Sequence, residues 1–549
     1  MTPAIRPRLR GITSGLLAGA VGVGVGYLVA GLTGPVGAPV VAVASLVIDL
    51  SPPPVKNFAI STFGSSDKLA LQTGVLVILA VAAALIGLQA QRRLANGMVG
   101  VLIFAVVGLT AAGTRPASTP ADLLPTLVGA AAAAIALALL TRSARRVADS
   151  PVPAGPPARP DAAPAGSTDT QAAGDQAVAA RWAPARPPAL TVTERPRRDF
   201  MLLGAATAGT AAAAYLGGRL LGERASVAAA QRDLHLPAAA DAGAAAPAGA
   251  SLRIPGLSSF VTPNSSFYRV DTALVLPQVD PSNWQLRIHG MVRRELTLTF
   301  DDLLKRPLIE DYVTLACVSN PVGGPYVGNA RWLGASLGAL LREAGIRAGA
   351  DQLFCTSVDG FTSGTPVATA MDGRDALLAV GMNGAPLPVA HGFPVRTVVP
   401  GLYGYVSACK WITDIEVTTY ASNVAYWAQR GWSAQAPIKT ESRIDVPSGN
   451  ATLRPGRTMI AGVAWAQHKG VDAVEVRLNN GPWHRATLAP VPGIDCWRQW
   501  YLPWDAKPGR HVIQARATDA TGYTQTGVLS PPEPNGATGY PTVVATVTG

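Results

Sequence analysis

The stretch Tyr312–Leu333, YVTLACVSNPVGGPYVGNARWL, decides how the second half of this chain is read. An apolar strand runs into Cys317, and Ser319, Asn320, Pro321 and the pair Gly323-Gly324 then open it into a loop. The strand fixes the sulfur while the loop leaves one side of it open, which suits a metal ligand or a reactive thiol. A second window, Ala385–Trp411, reads APLPVAHGFPVRTVVPGLYGYVSACKW. Here His391-Gly392-Phe393-Pro394-Val395-Arg396 leads into an apolar strand, then Pro400-Gly401, Tyr403-Gly404 and Ser407 through Lys410. Arginine and lysine around glycine-rich turns set cations beside backbone N–H groups, the combination that phosphate binding needs.

Around these windows the texture after Ser251 is one of short β-branched and aromatic runs broken by Gly, Pro and Asn. Trp284–Gly290 and Leu296–Phe300 are predicted strands, and Ser336–Ala344 (SLGALLREA) is a short amphipathic helix ending at Gly345. From about Pro437 helical periodicity disappears. Met459–Trp465, Val471–Asn479, Trp483–Leu488 and His511–Thr518 are predicted strands joined by turns such as Asn480-Gly481 and Pro508-Gly509. Their spacing predicts an antiparallel sandwich of about 110 residues.

Working toward the N-terminus, the character changes. Charged residues make up 14% of the 549 residues, against roughly 25% in soluble domains, and the deficit sits in the first 221 residues. Apolar runs of spanning length occur at Ile12–Leu32, Leu69–Ala90, Leu94–Gly113, Leu123–Leu140 and Phe200–Gly218. Val36–Leu50 is short and Pro-rich and reads as a re-entrant or interfacial piece. Arg6, Arg8 and Arg10, then Arg92 and Arg93, then Arg142, Arg145 and Arg146 mark the cytoplasmic ends. The N-terminus is therefore expected inside a cell membrane crossed several times, with the domains after the fifth span outside. Residues 147 to about 189 have the Ala/Pro/Gly composition of a disordered linker, and a second linker is expected over 226 to about 250. Between them Arg195-Pro196-Arg197-Arg198-Asp199-Phe200-Met201-Leu202 resembles a twin-arginine export signal, with Pro196 where such signals favour Ser or Thr. Its blander reading is a pair of arginines flanking a span. The net charge of +11 owes much to these flanks, so nucleic acid is not an expected partner.

Cys317, Cys355, Cys409 and Cys496 are too few and too far apart for a disulfide framework, and no C-x-x-C exists for zinc or an iron–sulfur cluster. By default each is a small buried apolar residue; a Cys355–Cys409 bridge is left open by spacing. All six histidines lie at or after His235, so no span offers the paired ligands of a membrane haem.

The two windows, their order and their spacing resemble the molybdopterin domain of the sulfite oxidase family over roughly residues 254–425, and the segment after Pro437 resembles that family's immunoglobulin-like dimerisation domain. With the apolar runs and linkers read above, the expectation is a multi-domain chain: an α-helical four-span transmembrane region (1–146), a linker (147–194), the twin-arginine-like motif with a fifth span (195–221) and a linker (222–250), followed by what the resemblance implies, an α+β molybdopterin domain (251–430) and an immunoglobulin-like β-sandwich (437–549). It further implies a molybdenum–molybdopterin cofactor, without haem or iron–sulfur, whose metal takes the Cys317 thiolate in the motif Cys317-x-x-Asn320. Asn264, with the aromatic pair Phe267 and Tyr268, and Thr356 correspond to cofactor contacts; His391 and Arg396 correspond to contacts with the pterin and its phosphate, over which Ser407 and Lys410 close. Ordinary turn, strand or surface roles are the alternatives for each.

The pattern departs where that family reads its anion. Two arginine positions after the Cys-x-x-Asn hold Pro321 and Val322, and the active-site tyrosine corresponds to Phe361. Sulfite is thus a doubtful substrate. The expectation is a membrane-anchored oxidoreductase moving an oxygen atom to or from a small substrate such as an oxidised sulfur compound. Its expected partners are membrane lipid, a quinone or redox protein for electrons, and a second copy through the C-terminal domain. A true sulfite oxidase, or a non-catalytic binding or assembly protein on the same fold, are the competing readings.

Overall fold

The spanning-length runs of the first unit are apolar around most of their circumference, so their helices cannot be stabilised by one buried stripe with a wet face opposite. The computed structural model describes residues 5–34, 37–52, 55, 67–115, 118–148, 194–224 and 227–549, and the chain divides into two compact units, 1–225 and 226–549. The first unit is helical: α1 (Ile5–Thr33), α2 (Pro39–Leu50), α3 (Asp67–Arg92), α4 (Leu94–Gly113), α5 (Leu124–Ala148) and α6 (Glu194–Arg224). Five of these, all but α2, are long and apolar enough to cross a membrane. The helix α1 packs on α3, α5 and α6. Glycine sets those approaches: a Cβ on Gly15 would collide with the Ala83 carbonyl, and one on Gly218 with the Tyr27 carbonyl. Arg145 caps the end of α3 by donating to the carbonyls of Ala90 (2.7 Å) and Gln91 (3.2 Å), where a cation also meets the negative end of the helix dipole. Most of the linker expected over 147–194 lies outside the described residues.

The second unit begins with residues that the sequence assigns to a tether. Instead, α7 (Ala228–Asp233) is held by Gln231 Nε2 donating to Leu387 O at 2.7 Å. The Ala240 N–H donates to Leu308 O (2.8 Å) and the Glu310 N–H to Asp241 O (2.9 Å). The free edge of a strand supplies the partners that a low-complexity sequence does not advertise.

Two sheets follow. One has the order β2 (Leu296–Thr299), β1 (Gln285–Gly290), β10 (Ile412–Thr418), β5 (Gln352–Ser357), β6 (Thr362–Pro366). The other runs β3 (Leu308–Ala316), β4 (Val327–Ser336), β7 (Leu377–Met382), β8 (Ala385–Pro386), with β9 (Arg396–Val398) also paired to β7. Short helices α8 (Phe300–Leu304), α9 (Leu337–Ala344), α10 (Val367–Met371) and α11 (Gly404–Ser407) connect them. The expected helix is α9: the Ser336 hydroxyl accepts from the Ala339 N–H, and Gly345 at φ 71° ends it.

The remaining strands form two sheets. One is β11 (Glu441–Val446), β13 (Gly456–Trp465), β17 (Arg498–Ala506), β16 (Thr487–Leu488); the other is β12 (Ala451–Leu453), β19 (Thr542–Val547), β18 (Gly509–Asp519), β14 (Val471–Leu478), β15 (His484–Arg485). They share one apolar core, in which Ile460, Trp500 and Trp504 meet Val474, Val476 and Ile513. The single strand expected at Trp483–Leu488 divides between the sheets, since β15 pairs with β14 and β16 with β17. Ala486 lies between them, its N–H donating to Val474 O.

This β layer grips the strand that ends at Cys317. On β3, the Thr314 N–H donates to Asp495 O (2.9 Å) and its carbonyl accepts from Gln467 Nε2 (2.7 Å). Its hydroxyl donates to Asn329 Oδ1 (3.0 Å) while accepting from the Trp497 N–H (2.7 Å). Thr314→Val strips the buried acceptor from Trp497 and the donor from Asn329. It should cost ~1–3 kcal/mol, read as a lower denaturant midpoint by tryptophan fluorescence; an unchanged midpoint would show the network to be dispensable.

Candidate active site

Cys317 is the first residue beyond β3. Its N–H donates to Tyr326 O (2.9 Å) and its carbonyl accepts from the Asn320 N–H (3.1 Å), closing a tight turn. Asn320 Oδ1 accepts from the Tyr326 N–H at 2.8 Å, but the buried Nδ2 of Asn320 has no partner. Cys317 Sγ lies 2.9 Å from Ser319 Oγ. All four cysteines are free, so no Cys355–Cys409 bridge forms; three are buried and Cys317 is half-buried. Burial pushes the Cys355 and Cys496 thiols up to about 12 and raises Cys409 as well. Burial raises Cys317 as well, but the Ser319 hydrogen bond and the Lys410 charge oppose it. Cys317 is thus the thiol with access and with groups that favour its thiolate.

The cations arrive from the second window. Arg396 on β9 and Lys410 face each other across a β-bridge, and the Thr397 N–H donates to Cys409 O alongside. Between them Gly392 sits at φ 108°, where a Cβ would lie 3.1 Å from the Cβ atoms of both cations. Arg396 is buried over the Trp332 ring, 5.0 Å from its centroid, and donates to His391 O at 3.1 Å. Lys410 Nζ donates to Asp271 Oδ2 (2.8 Å) and to Val270 O (3.3 Å); Asp271 also binds Arg269 at 2.7 Å. Desolvation lowers Arg396 to about 10 and Lys410 to about 8. The next residue, Trp411, is held at φ 51°, a conformation costing ~1–3 kcal/mol for a bulky side chain, by its indole N–H to Val389 O and by the Val358 N–H to its carbonyl.

A third group comes from before the first strand. Phe267 stacks on Tyr268 (5.3 Å) and meets His391 and Trp332 edge-on (5.5 and 5.8 Å). His391 Nε2 lies 3.2 Å from Asn264 O. Burial first, then Arg396 and Lys410, lowers His391 to about 4, so the ring is neutral at ordinary pH. The Asn264 side chain is engaged within the protein: Nδ2 donates to Met382 O (3.2 Å) and Oδ1 accepts from Asn383 Nδ2 (2.7 Å).

The structure therefore gathers Asn264, Phe267, Tyr268, His391, Arg396 and Lys410 around one centre, with Cys317 electrostatically coupled to Tyr268 and Lys410. Ser407 is buried beside them, but its hydroxyl donates to the carbonyls of Leu402 (3.1 Å) and Tyr403 (3.2 Å) and shapes a turn. Thr356 stands in the other sheet opposite Thr362 and Asp414, and none of its hydrogen bonds reaches this centre. Phe361 packs on Tyr426 at 5.8 Å. Sequence reasoning missed Arg269, Asp271, Trp332 and Asn383. Two phenols inside the quoted second window, Tyr403 and Tyr405, are raised by burial, Tyr403 further by Glu441, and the Tyr405 hydroxyl donates to Ser433 O.

With this geometry in hand, likeness to known proteins can be placed on it. The family profile described as oxidoreductase molybdopterin binding domain matches residues 273–427. Sulfite oxidase of Gallus gallus is 30% identical over 321 residues, covering 50% of this chain and 69% of that one. Mitochondrial sulfite oxidase of Rattus norvegicus is 32% identical over 291 residues, 44% of this chain and 53% of that one. The chain thus spans about half the length of the rat relative. The uncharacterized oxidoreductase YuiH of Bacillus subtilis is 30% identical over 179 residues, 32% of this chain and 87% of its own. The chain belongs to the sulfite oxidase family. Its second unit carries that family's molybdopterin-binding oxidoreductase domain, which indicates a molybdenum–molybdopterin cofactor.

Two measurements test the centre. Gly392→Ala puts a Cβ between the two cations at a backbone angle that alanine resists; the expected cost is ~1–3 kcal/mol in unfolding, and a neutral result would show the loop to be compliant. His391 is depressed from 6.5 to about 4, so its neutral form contributes stability above pH 6.5 that is lost as pH falls toward 4. His391→Gln should flatten that part of the stability profile, and an equally steep acid limb would remove His391 as its source.

Proposed function

We propose that this chain is a membrane-anchored, molybdopterin-dependent oxidoreductase that moves an oxygen atom to or from a small, uncharged substrate. The observation carrying this reading is the pairing of an accessible thiol at a strand end with two buried cations a β-bridge apart. The donor set suits the cofactor. Cys317 is a soft ligand for the metal, and Arg396, Lys410 and Arg269 outnumber the one carboxylate, Asp271, so that an anionic phosphate would be welcome there. Asn320 Nδ2 is a buried donor still without an acceptor. When bound, molybdenum supplies two-electron redox chemistry with oxygen-atom exchange.

In this reading Cys317 holds the metal; Arg396 and Lys410 hold the phosphate; Phe267, Tyr268 and neutral His391 pack beside the pterin; and Asn264 fixes His391 through its backbone carbonyl. Tyr403 stays protonated and so keeps a phenolic hydrogen-bond donor, whereas the Tyr405 hydroxyl already donates to Ser433 O. Pro321 and Val322 bring no charge to the loop beside the sulfur. A dianion finds no cation on that loop, whereas a neutral oxide such as a sulfoxide needs only a donor. Residues 437–549 serve as an immunoglobulin-like sandwich, and the five apolar helices as an anchor that leaves residues after α6 outside the cytoplasm after export through the Arg197-Arg198 signal.

Cys317→Ser should abolish turnover and deplete molybdenum while the circular dichroism spectrum is kept; a fully active variant would refute the ligand role. With a viologen dye as electron donor or acceptor, sulfite should turn over about 10²-fold or more below the best sulfoxide or N-oxide, the effect of a missing anion-stabilising group. Sulfite as the best substrate would overturn the neutral-substrate reading.

A further inference from the structure

Alternation along β11 turns Glu441 and Arg443 to one face. Arg443 donates from that face to Gly324 O at 3.3 Å, in the loop that follows Cys317, and to Asp445 Oδ1 at 2.6 Å. Two residues before Glu441, Lys439 Nζ donates to Asn535 Oδ1 (3.0 Å) and to Gly536 O (2.5 Å). A Cβ on Gly536 would collide with the Tyr403 hydroxyl. One on Gly404, the residue after Tyr403, would lie 3.6 Å from both Ala316 O and the Tyr268 hydroxyl. Glu441 thus stands on the seam where the C-terminal β layer meets the Cys317 loop and the Tyr403 phenol.

The fold makes no use of this carboxyl. Glu441 is 7% exposed, and among the described residues no hydrogen bond and no ion pair reaches its side chain. A buried carboxyl without a bond lowers stability. Burial raises it to about 8 against the charge of Lys439 alone, so it holds its proton at neutral pH. The Tyr403 phenol is raised by burial first and then by Glu441, against the Lys439 backbone N–H, and the Cys317 charge raises it further. Lys439 on the segment before β11 and Tyr403 from the loop between β9 and α11 are the titratable groups that face Glu441.

Taking the oxygen from a neutral oxide as water breaks one sulfur–oxygen or nitrogen–oxygen bond and forms two O–H bonds. It consumes two electrons, which the electron donor supplies, and two protons. We infer that Glu441 is the proton store for this reaction: its carboxyl O–H passes a proton to the Tyr403 oxygen as the Tyr403 hydroxyl gives its own to the departing oxygen. The carboxylate is reloaded from solvent beside half-buried Lys439, and a second passage delivers the second proton. The inference rests on the oxygen-transfer reading above, and in it Glu441 acts through Tyr403.

The test uses the molybdenum-loaded full chain with reduced viologen and the best sulfoxide or N-oxide, over about pH 6 to 10. The store is full below its midpoint and empties as pH rises through it, so wild-type kcat should fall with a midpoint near pH 8. Glu441→Gln should lower kcat at pH 7 about 10²-fold, leave KM within about twofold and lose the alkaline limb. Tyr403→Phe should match it, and the double variant should be no worse than either. Glu441→Asp, which keeps the proton on a shorter arm, should restore part of kcat and the limb. In the full chain without turnover, the infrared C=O stretch of a protonated carboxyl should titrate near pH 8 and vanish in Glu441→Gln. The unfolding midpoint of Glu441→Gln should be kept or raised, since a buried carboxyl is relieved. No protonated carboxyl at pH 7, or a Glu441→Gln chain with wild-type kcat and alkaline limb, would overturn the inference. A loaded wild type that reduces neither sulfoxide nor N-oxide overturns the oxygen-transfer reading and this inference with it. A wild type that turns over beside an indistinguishable Glu441→Gln overturns this inference only.

Discussion

The strand β3 is an edge, and the rest of the second unit depends on how that edge is covered. A strand with one unpaired side is a poor platform for a sulfur that must be held in place. Here the beginning of the edge is paired by residues 240–241 and its end by the segment around Asp495. At Thr314 the backbone N–H and carbonyl and the side-chain hydroxyl are all engaged, three of the four bonds reaching the C-terminal β layer. That C-terminal β layer is thereby part of the support for Cys317, three residues farther on. The same layer reaches the loop beyond it, since a Cβ on Gly539 would touch Val322 and one on Gly536 would collide with the Tyr403 hydroxyl.

Two cations buried side by side are costly, and the structure concentrates that cost at one place. Arg396 and Lys410 repel each other across the bridge, with Gly392 packed against both side chains. Asp271 offsets part of this but is shared with Arg269. Replacing such a cluster by apolar side chains would usually stabilise a domain. Its presence beside a left-handed tryptophan therefore does not serve the domain's own stability.

Much of this centre was legible because its parts are local. Cys317-x-x-Asn320 and His391 through Arg396 each place their chemistry within a few residues, where strand ends and turns are readable. Helix α9 announced itself by its Ser cap and terminal Gly. What escaped reading depends on distant pairing. Asp271 matters only because β9 and Lys410 come to it, 139 residues away, and Asn383 only because it bonds Asn264. Thr356 stands in the sheet that does not carry Cys317, which no spacing reveals. Residues 228–250 look like a tether because alanine and proline say nothing about a waiting strand edge.

The substrate end of the site carries a different kind of information from the cofactor end. Where the cofactor would be held, charge is abundant and rigidly paired. Next to the sulfur the loop offers Pro321, Val322 and Gly323; the C-terminal layer meets it with Pro541, and with Arg443, which donates to Gly324 O at 3.3 Å. A charged substrate brought to apolar walls loses hydration without recompense, while an uncharged one does not.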